Sequence, residues 1–188
     1  MQLFMDRIDS ELSQILIISD GEQLCSLDFA DYESRMMTLL QKRYANFELL
    51  EVKNPQGFSQ KIQQYFRGDW RALDNIPVNP GGTPFQQTVW SALRQIPPGI
   101  TLSYQQLAVK IGKPTAARAV GMANAQNPIA IVIPCHRVIA ANTKLAGYAG
   151  GIERKRWLLN HEAALLDITA LLNDAMNHCG IGTSQNLR

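Results

Sequence analysis

Between residues 75 and 82 the chain carries Pro77, Pro80 and the pair Gly81-Gly82, a run that no helix or sheet interior accommodates. Proline lacks a backbone donor and glycine has the most conformational freedom to lose, so the segments on either side must be built from separate sets of elements. They also read differently. Before the break, 12–18 is apolar and β-branched, Asp20-Gly21 signals a hairpin, 24–29 pairs as a second strand and 47–52 reads as a third. Asp31 stands where it can cap a helix running to about Tyr44, with Tyr32, Met36, Leu39, Leu40 and Arg43 at three- to four-residue spacing; 59–66 reads as another helix, stopped by Gly68. After the break, Pro84 suits a first helical turn, and Phe85, Val89, Leu93 and Ile96 form a stripe that ends at Pro97-Pro98-Gly99. Helices at 103–111 and 115–124, separated by Gly112-Lys113-Pro114, make a helix-turn-helix pattern. The expected fold class is α+β. A small N-terminal sheet-and-helix domain occupies 1–82, a mostly helical domain with the helix-turn-helix occupies 83–164, and 165–188 is a C-terminal extension, partly helical or loose.

The formal net charge of +2 conceals an asymmetry along this division. Residues 1–83 hold eight Lys/Arg against twelve Asp/Glu, residues 84–164 nine against two, and residues 165–188 one against two, giving −4, +7 and −1. A basic segment around a helix-turn-helix suits a polyanion, whose counterions are released as its phosphates are neutralised. A solvated charged face is the alternative. Arg118, Lys110, Lys113 and Arg137 are the basic residues nearest the motif in sequence. No apolar run approaches the roughly 18 residues of a membrane span, and the N-terminus lacks the basic-then-apolar order of a signal peptide, so a cytoplasmic protein with no membrane partner is expected. Cys25, Cys135 and Cys179 are an odd number at wide spacing, fitting neither a disulfide framework nor a zinc motif; reduced thiols and no metal are expected.

The heptad Ile133-Pro-Cys-His-Arg-Val-Ile139 carries the chemistry. A thiol beside an imidazole offers a soft nucleophile with a group able to take its proton near neutral pH, provided a third residue holds the ring. Adjacency alone is weak, because successive side chains of an extended segment point to opposite faces, and a buried structural cysteine with an incidental histidine is the plainer reading.

Around the heptad stand Ser103-Tyr-Gln-Gln-Leu-Ala, Thr115-Ala-Ala-Arg118-Ala-Val-Gly121, Gln126-Asn127-Pro128, Gly147-Tyr148-Ala-Gly-Gly151 and Trp157-Leu-Leu-Asn-His-Glu162. Together these residues resemble the O6-alkylguanine-DNA alkyltransferases, also called methylated-DNA–protein-cysteine methyltransferases, over about residues 83 to 164. The first 82 residues match only in general layout, and the last 24 do not match.

The resemblance implies direct, irreversible transfer of an alkyl group from O6-alkylguanine, and from O4-alkylthymine, in double-stranded DNA to Cys135. One lesion consumes one protein molecule, without a methyl-donor or other cofactor, and the protein is expected to be a monomer. It implies that the damaged base is flipped out of the duplex. It further implies that His136 takes the thiol proton through a water, that Glu162 holds the imidazole tautomer, and that Tyr104 steers the phosphate and donates a proton to the departing purine. The backbone carbonyls of Cys135 and Val138 would accept the guanine amine, Tyr148 would line the pocket, and Asn127 would tie the recognition helix to it. Arg118 would fill the gap left by the flipped base, while Thr115, Ala117 and Gly121 with neighbouring small residues would bring the helix close to the minor groove. Ala149 departs from members with a serine there, leaving more room for bulky alkyl groups. His161 and His178 are read as structural. Two rivals remain: a sensor on the same scaffold that binds the damaged base without reacting, in which tryptophan replaces the cysteine, and a Cys-His hydrolase, which would need an oxyanion hole.

Overall fold

A computed structural model describes residues 1–140 and 147–162 of the chain. Four strands, β1 (Gln2–Ile8), β2 (Ile15–Ser19), β3 (Leu24–Phe29) and β4 (Glu48–Glu51), form one sheet in the order β3-β2-β1-β4. β1 is antiparallel to β2 and parallel to β4, and β2 is antiparallel to β3. β2, Ile-Leu-Ile-Ile-Ser, is buried throughout because both faces of the sheet are covered, which is why it lacks polar alternation. On one face Leu16 and Ile18 meet Leu3, Met5 and Cys25 and, from helix α1 (Glu33–Arg43), Met36 and Leu40. On the other, Ile15, Ile17, Leu24, Leu27 and Phe29 join a larger core with α2 (Phe58–Phe66) and the C-terminal half.

Three local expectations are corrected. The strand Gln2–Ile8 was not expected; its alternation is interrupted by Asp6 and Arg7, which it spends on Ser59 Oγ and the Asn54 amide, and on Glu33. The expected tight Asp20-Gly21 turn is a four-residue loop, with Asp20 Oδ1 accepting from the amides of Glu22 and Gln23 at 3.0 and 2.8 Å. Asp31 caps no helix: it lies in a 3-10 turn (Ala30–Tyr32) ahead of α1, and its carboxylate takes both terminal nitrogens of Arg154 at 2.9 Å.

In the C-terminal half, α3 (Pro84–Arg94) starts from a capping box between Thr83 and Gln86. It buries Val89, Trp90, Ala92 and Leu93, and Trp90 Nε1 donates to the Ala123 carbonyl at 2.9 Å. A Cβ on Gly82, at φ 82°, would stand 2.6 Å from the Trp90 ring, so only glycine lets the chain enter α3 against that indole. Short strand β5 (Leu102–Ser103) leads into α4 (Tyr104–Lys110), capped reciprocally by Ser103 and Gln106. α4 ends in a Schellman turn: Lys113 N donates to Ala108 O and Gly112 N to Val109 O, both at 2.9 Å, with Gly112 at φ 70°. α5 (Ala117–Ala125) then packs on α3 and α4, completing the helix-turn-helix. β6 (Val138–Ile139) pairs parallel with β5, and α6 (Ile152–His161) ends beside Glu162.

The two halves meet along β3. Its outer edge is continued by 77–79, where Leu24 N donates to Pro77 O and Asn79 N to Leu24 O, both at 2.9 Å. Beside this, Leu27 N donates to Pro128 O at 3.0 Å and Ala130 N to Leu27 O at 2.8 Å. An edge strand's unpaired backbone groups are thereby satisfied within the chain. The expected helix at 165–175 lies outside the described residues. Among the described residues no helix is long and apolar enough to cross a membrane.

Candidate active site

The segment that delivers Cys135 is wound by short-range backbone bonds. Val132 N donates to Ala130 O at 2.7 Å around Ile131, and Cys135 N donates to Ile133 O at 2.8 Å around Pro134. Pro134, at φ −80° and ψ 66°, makes an inverse γ-turn; Ile131, a β-branched residue at φ 69°, sits in the left-handed region at a cost on the order of 1–3 kcal/mol. The 3-10 turn Cys135–Arg137 follows, with all three side chains buried.

Asn127 holds the thiol. Its Nδ2 donates to Cys135 Sγ at 3.1 Å and to Ile133 O at 2.8 Å, while its Oδ1 accepts from the Ile129 amide at 3.0 Å. Expected to tie the recognition helix to the pocket, Asn127 bonds the turn backbone along the approach to Cys135 and also reaches the sulfur. Burial pushes the Cys135 thiol above its usual range, opposed by the Asn127 hydrogen bond and the nearby positive charge of Lys155.

In the next residue, His136 Nε2 lies 3.0 Å from Glu162 Oε1, both side chains fully buried. Arg137 grips the same carboxylate with Nε on Oε2 and Nη2 on Oε1, each at 2.8 Å, and gives Nη1 to the Ile96 carbonyl. Burial alone would raise the Glu162 carboxyl, but His136 and Arg137 hold it well below the usual carboxylate range. Burial lowers the proton affinity of His136; Glu162 opposes this, and the Arg137 charge adds to it, so the site favours the neutral imidazole. A neutral imidazole giving Nε2–H to the carboxylate carries its lone pair on Nδ1, which is buried with no hydrogen-bond partner among the described residues. The site therefore carries an imidazole lone pair one residue along the chain from a buried, protonated thiol.

The remaining expected residues distribute as follows. Tyr104 opens α4 half-buried, and its hydroxyl donates to Gly147 O at 3.3 Å. Burial and the nearby Cys135 raise its hydroxyl, keeping it a proton donor. Tyr148 has its hydroxyl shielded without a partner among the described residues, and burial pushes it well above the usual phenol range. The Val138 carbonyl accepts from Lys155 Nζ at 2.6 Å, and the Cys135 carbonyl accepts twice, from the Val138 amide and from Asn124 Nδ2 at 3.3 Å. Arg118 and Thr115 are exposed on the helix-turn-helix, Ala117 is half-buried, and Gly121 passes Tyr104, 3.7 Å from where its Cβ would stand.

Arg137 is corrected: grouped in sequence with possible phosphate contacts, it is buried and committed to Glu162. The basic surplus shrinks in the same way. Lys155 is buried, with burial lowering its ammonium to about 8. Arg94 donates to the carbonyls of Asp74 and Ile76, Arg154 pairs with Asp31, and Arg156 with Glu153. Lys110, Lys113 and Arg118 remain exposed without an ion pair among the described residues. Sequence reasoning missed the roles of Arg137, Lys155, Asn124 and Tyr65, whose hydroxyl donates to Glu162 Oε1 at 2.8 Å. Only their closeness to the heptad, for Arg137, offered any signal.

Comparison with known proteins agrees on one family. Residues 84–164 match the family model described as the 6-O-methylguanine DNA methyltransferase DNA-binding domain, and residues 3–80 match that family's ribonuclease-like domain. A methylated-DNA–protein-cysteine methyltransferase of Shigella flexneri is 45% identical over 169 residues, covering 88% of this chain and 99% of the relative. That of Methanosarcina barkeri is 40% identical over 163 residues, covering 85% and 97%. The fold is similar to the Mycobacterium tuberculosis O6-methylguanine methyltransferase crystal structure, with TM-score 0.71 and 38% identity over 86% of this chain and 93% of that one. It is similar also to the Mycobacterium tuberculosis OGT solved in complex with DNA, with TM-score 0.71 and 38% identity over 92% and 99%.

Proposed function

The chain belongs to the 6-O-methylguanine DNA methyltransferase family, and from that premise we propose that Cys135 is the alkyl acceptor. The activity is direct repair of DNA: an alkyl group leaves guanine O6 for a protein cysteine. In the proposed step His136 Nδ1 receives the Cys135 proton through a water, and the sulfur attacks the alkyl carbon in line. The S–C bond forms as the C–O6 bond breaks, and the electron pair stays with guanine, which takes a proton from Tyr104. The thioether is not hydrolysed back, so each molecule acts once. The observation that carries this reading is the 3.0 Å His136–Glu162 contact with Arg137 as counter-charge, since it turns Nε2–H to the carboxylate and leaves the Nδ1 lone pair of the residue following Cys135 open to a proton.

The exposed face of the helix-turn-helix, with Lys110, Lys113 and Arg118, is the proposed minor-groove surface. Arg118 would take the place of the flipped base, Tyr148 and the Cys135 and Val138 carbonyls would receive it, and no cofactor takes part. The division at 75–82 and a cytoplasmic location belong to the same reading. Intact-mass measurement after mixing with duplex carrying O6-methylguanine tests it. One permanent methyl adduct is expected on the wild-type chain, and none on Cys135→Ser, which still binds DNA. Tight binding without a mass change in the wild type would favour the sensor; an adduct on the serine variant would remove Cys135 from its role.

A further inference from the structure

The N-terminal half places one side chain in the catalytic network. Tyr65, in the last turn of α2, is fully buried, and its hydroxyl donates at 2.8 Å to Oε1 of Glu162, 97 residues away in sequence. We propose that Tyr65 is a positioning residue for the transfer: it shares the Glu162 oxygen that takes His136 Nε2 and so limits how strongly the carboxylate draws on the imidazole.

The geometry holds this contact from both ends of the residue. The Tyr65 ring meets Phe66 and His161 edge-on, at 5.4 and 5.1 Å between centroids, and its carbonyl accepts from His161 Nε2 at 2.7 Å. An ionised carboxylate has about four acceptor sites. Glu162 receives four donors: Tyr65 Oη, His136 Nε2 and Arg137 Nη2 on Oε1, and Arg137 Nε on Oε2. The other charged or titratable groups facing this cluster are His161 and Lys155, from α6, and Tyr148. Burial and the Glu162 charge hold the Tyr65 hydroxyl well above the usual phenol range, so it remains a donor at any working pH.

Removing that donor leaves more of the carboxylate's charge for His136. The imidazole then holds a proton more firmly, and the neutral base appears only at higher pH. This inference rests on the proposed transfer to Cys135. The test follows the single-turnover rate of adduct formation on the full chain by intact mass, from mildly acid to mildly alkaline pH. Tyr65→Phe, which keeps the ring, should slow transfer on the order of tenfold on the acid side, the scale of one hydrogen bond to a charged group, and recover towards wild type on the alkaline side. Phe66→Leu, which loosens the same packing without touching Glu162, should lower the unfolding temperature and leave the acid limb in place. A Tyr65→Phe limb superposing on wild type, or an equal displacement in Phe66→Leu, overturns the proposal. Should Tyr65→Phe fail to fold, the hydroxyl is read by proton NMR of the wild-type chain. A slowly exchanging Tyr65 hydroxyl proton close to the His136 Nε2 proton is expected, and its absence where the latter is seen overturns the assignment. A wild-type chain that gains no adduct would remove the proposed function and this role together; a normal wild type with an unmoved variant removes this role alone.

Discussion

Arg137→Met separates a buried counter-charge from a DNA contact. The side chain is 8% exposed and Glu162 is 0% exposed, so the substitution strands a carboxylate inside the protein while keeping much of the apolar stem. Breaking a buried pair by removing one partner costs about 3–5 kcal/mol, a large share of the roughly 5–15 kcal/mol that holds a domain folded. For a chain of this size each kcal/mol shifts the unfolding temperature by about 2–4 °C, so a fall of about 6–20 °C is expected. Thermal unfolding by circular dichroism at neutral pH, with urea midpoints, measures it. Combining Arg137→Met with Glu162→Gln should recover part of the loss, because the second change removes the uncompensated charge. DNA affinity of the folded fraction should keep its salt dependence. A destabilisation below about 1 kcal/mol, the range of exposed pairs, with a salt slope reduced by about 0.9, would place Arg137 on phosphate and refute the network described above.

Arg118→Ala is expected to slow repair of duplex far more than reaction with free benzylguanine, since only the duplex must have a flipped base replaced; equal losses would move Arg118 into the pocket or the folding core. DNA affinity of the wild type should fall with log salt at a slope of about −3, at roughly −0.9 per neutralised phosphate for Lys110, Lys113 and Arg118, and a flat response would deny these residues a phosphate role. Stability should fall with acid. Below the ordinary histidine value of about 6.5 the unfolded chain takes up a proton that buried His136 refuses, and below about 4.3 it takes up one that Glu162 refuses, so both groups favour the unfolded state as pH drops. Unfolding temperatures unchanged from neutral pH to pH ~4 would contradict this.

The sequence pattern carried the helices well, because their starts and stops are local chemistry: Thr83 and Ser103 cap, Pro84 opens, Gly112 closes. β1 escaped because Asp6 and Arg7 break its alternation, and their partners, Ser59 and Glu33, come from helices remote in sequence. Asp31 looked like a cap for the converse reason, since only the folded chain brings Arg154 to it. In the candidate site, Cys135, His136, Glu162 and Tyr104 were named through the resemblance, and the structure brings His136 to Glu162. The duty of Arg137 was not, since an arginine's spacing does not tell a buried counter-charge from a phosphate contact. Nor was Tyr65 legible: an aromatic on the apolar side of a short helix reads as core, and only its hydroxyl shows otherwise. The left-handed Ile131 has no local cue at all.

The pairing of β3 with residues far downstream sets an order in time. Leu27 is matched with Ile129, so during synthesis the outer edge of β3 leaves the ribosome about 100 residues before the segment that covers it. At roughly 5–20 residues per second that interval lasts about 5–20 s, long beside the microseconds a hairpin takes to form. The sheet is therefore made early and waits with one side open, screened in part once 77–79 arrives. The loop that leads to Cys135 is the piece that closes it, so a nascent chain completes its sheet edge as that cysteine is set in place, with Glu162 still to follow.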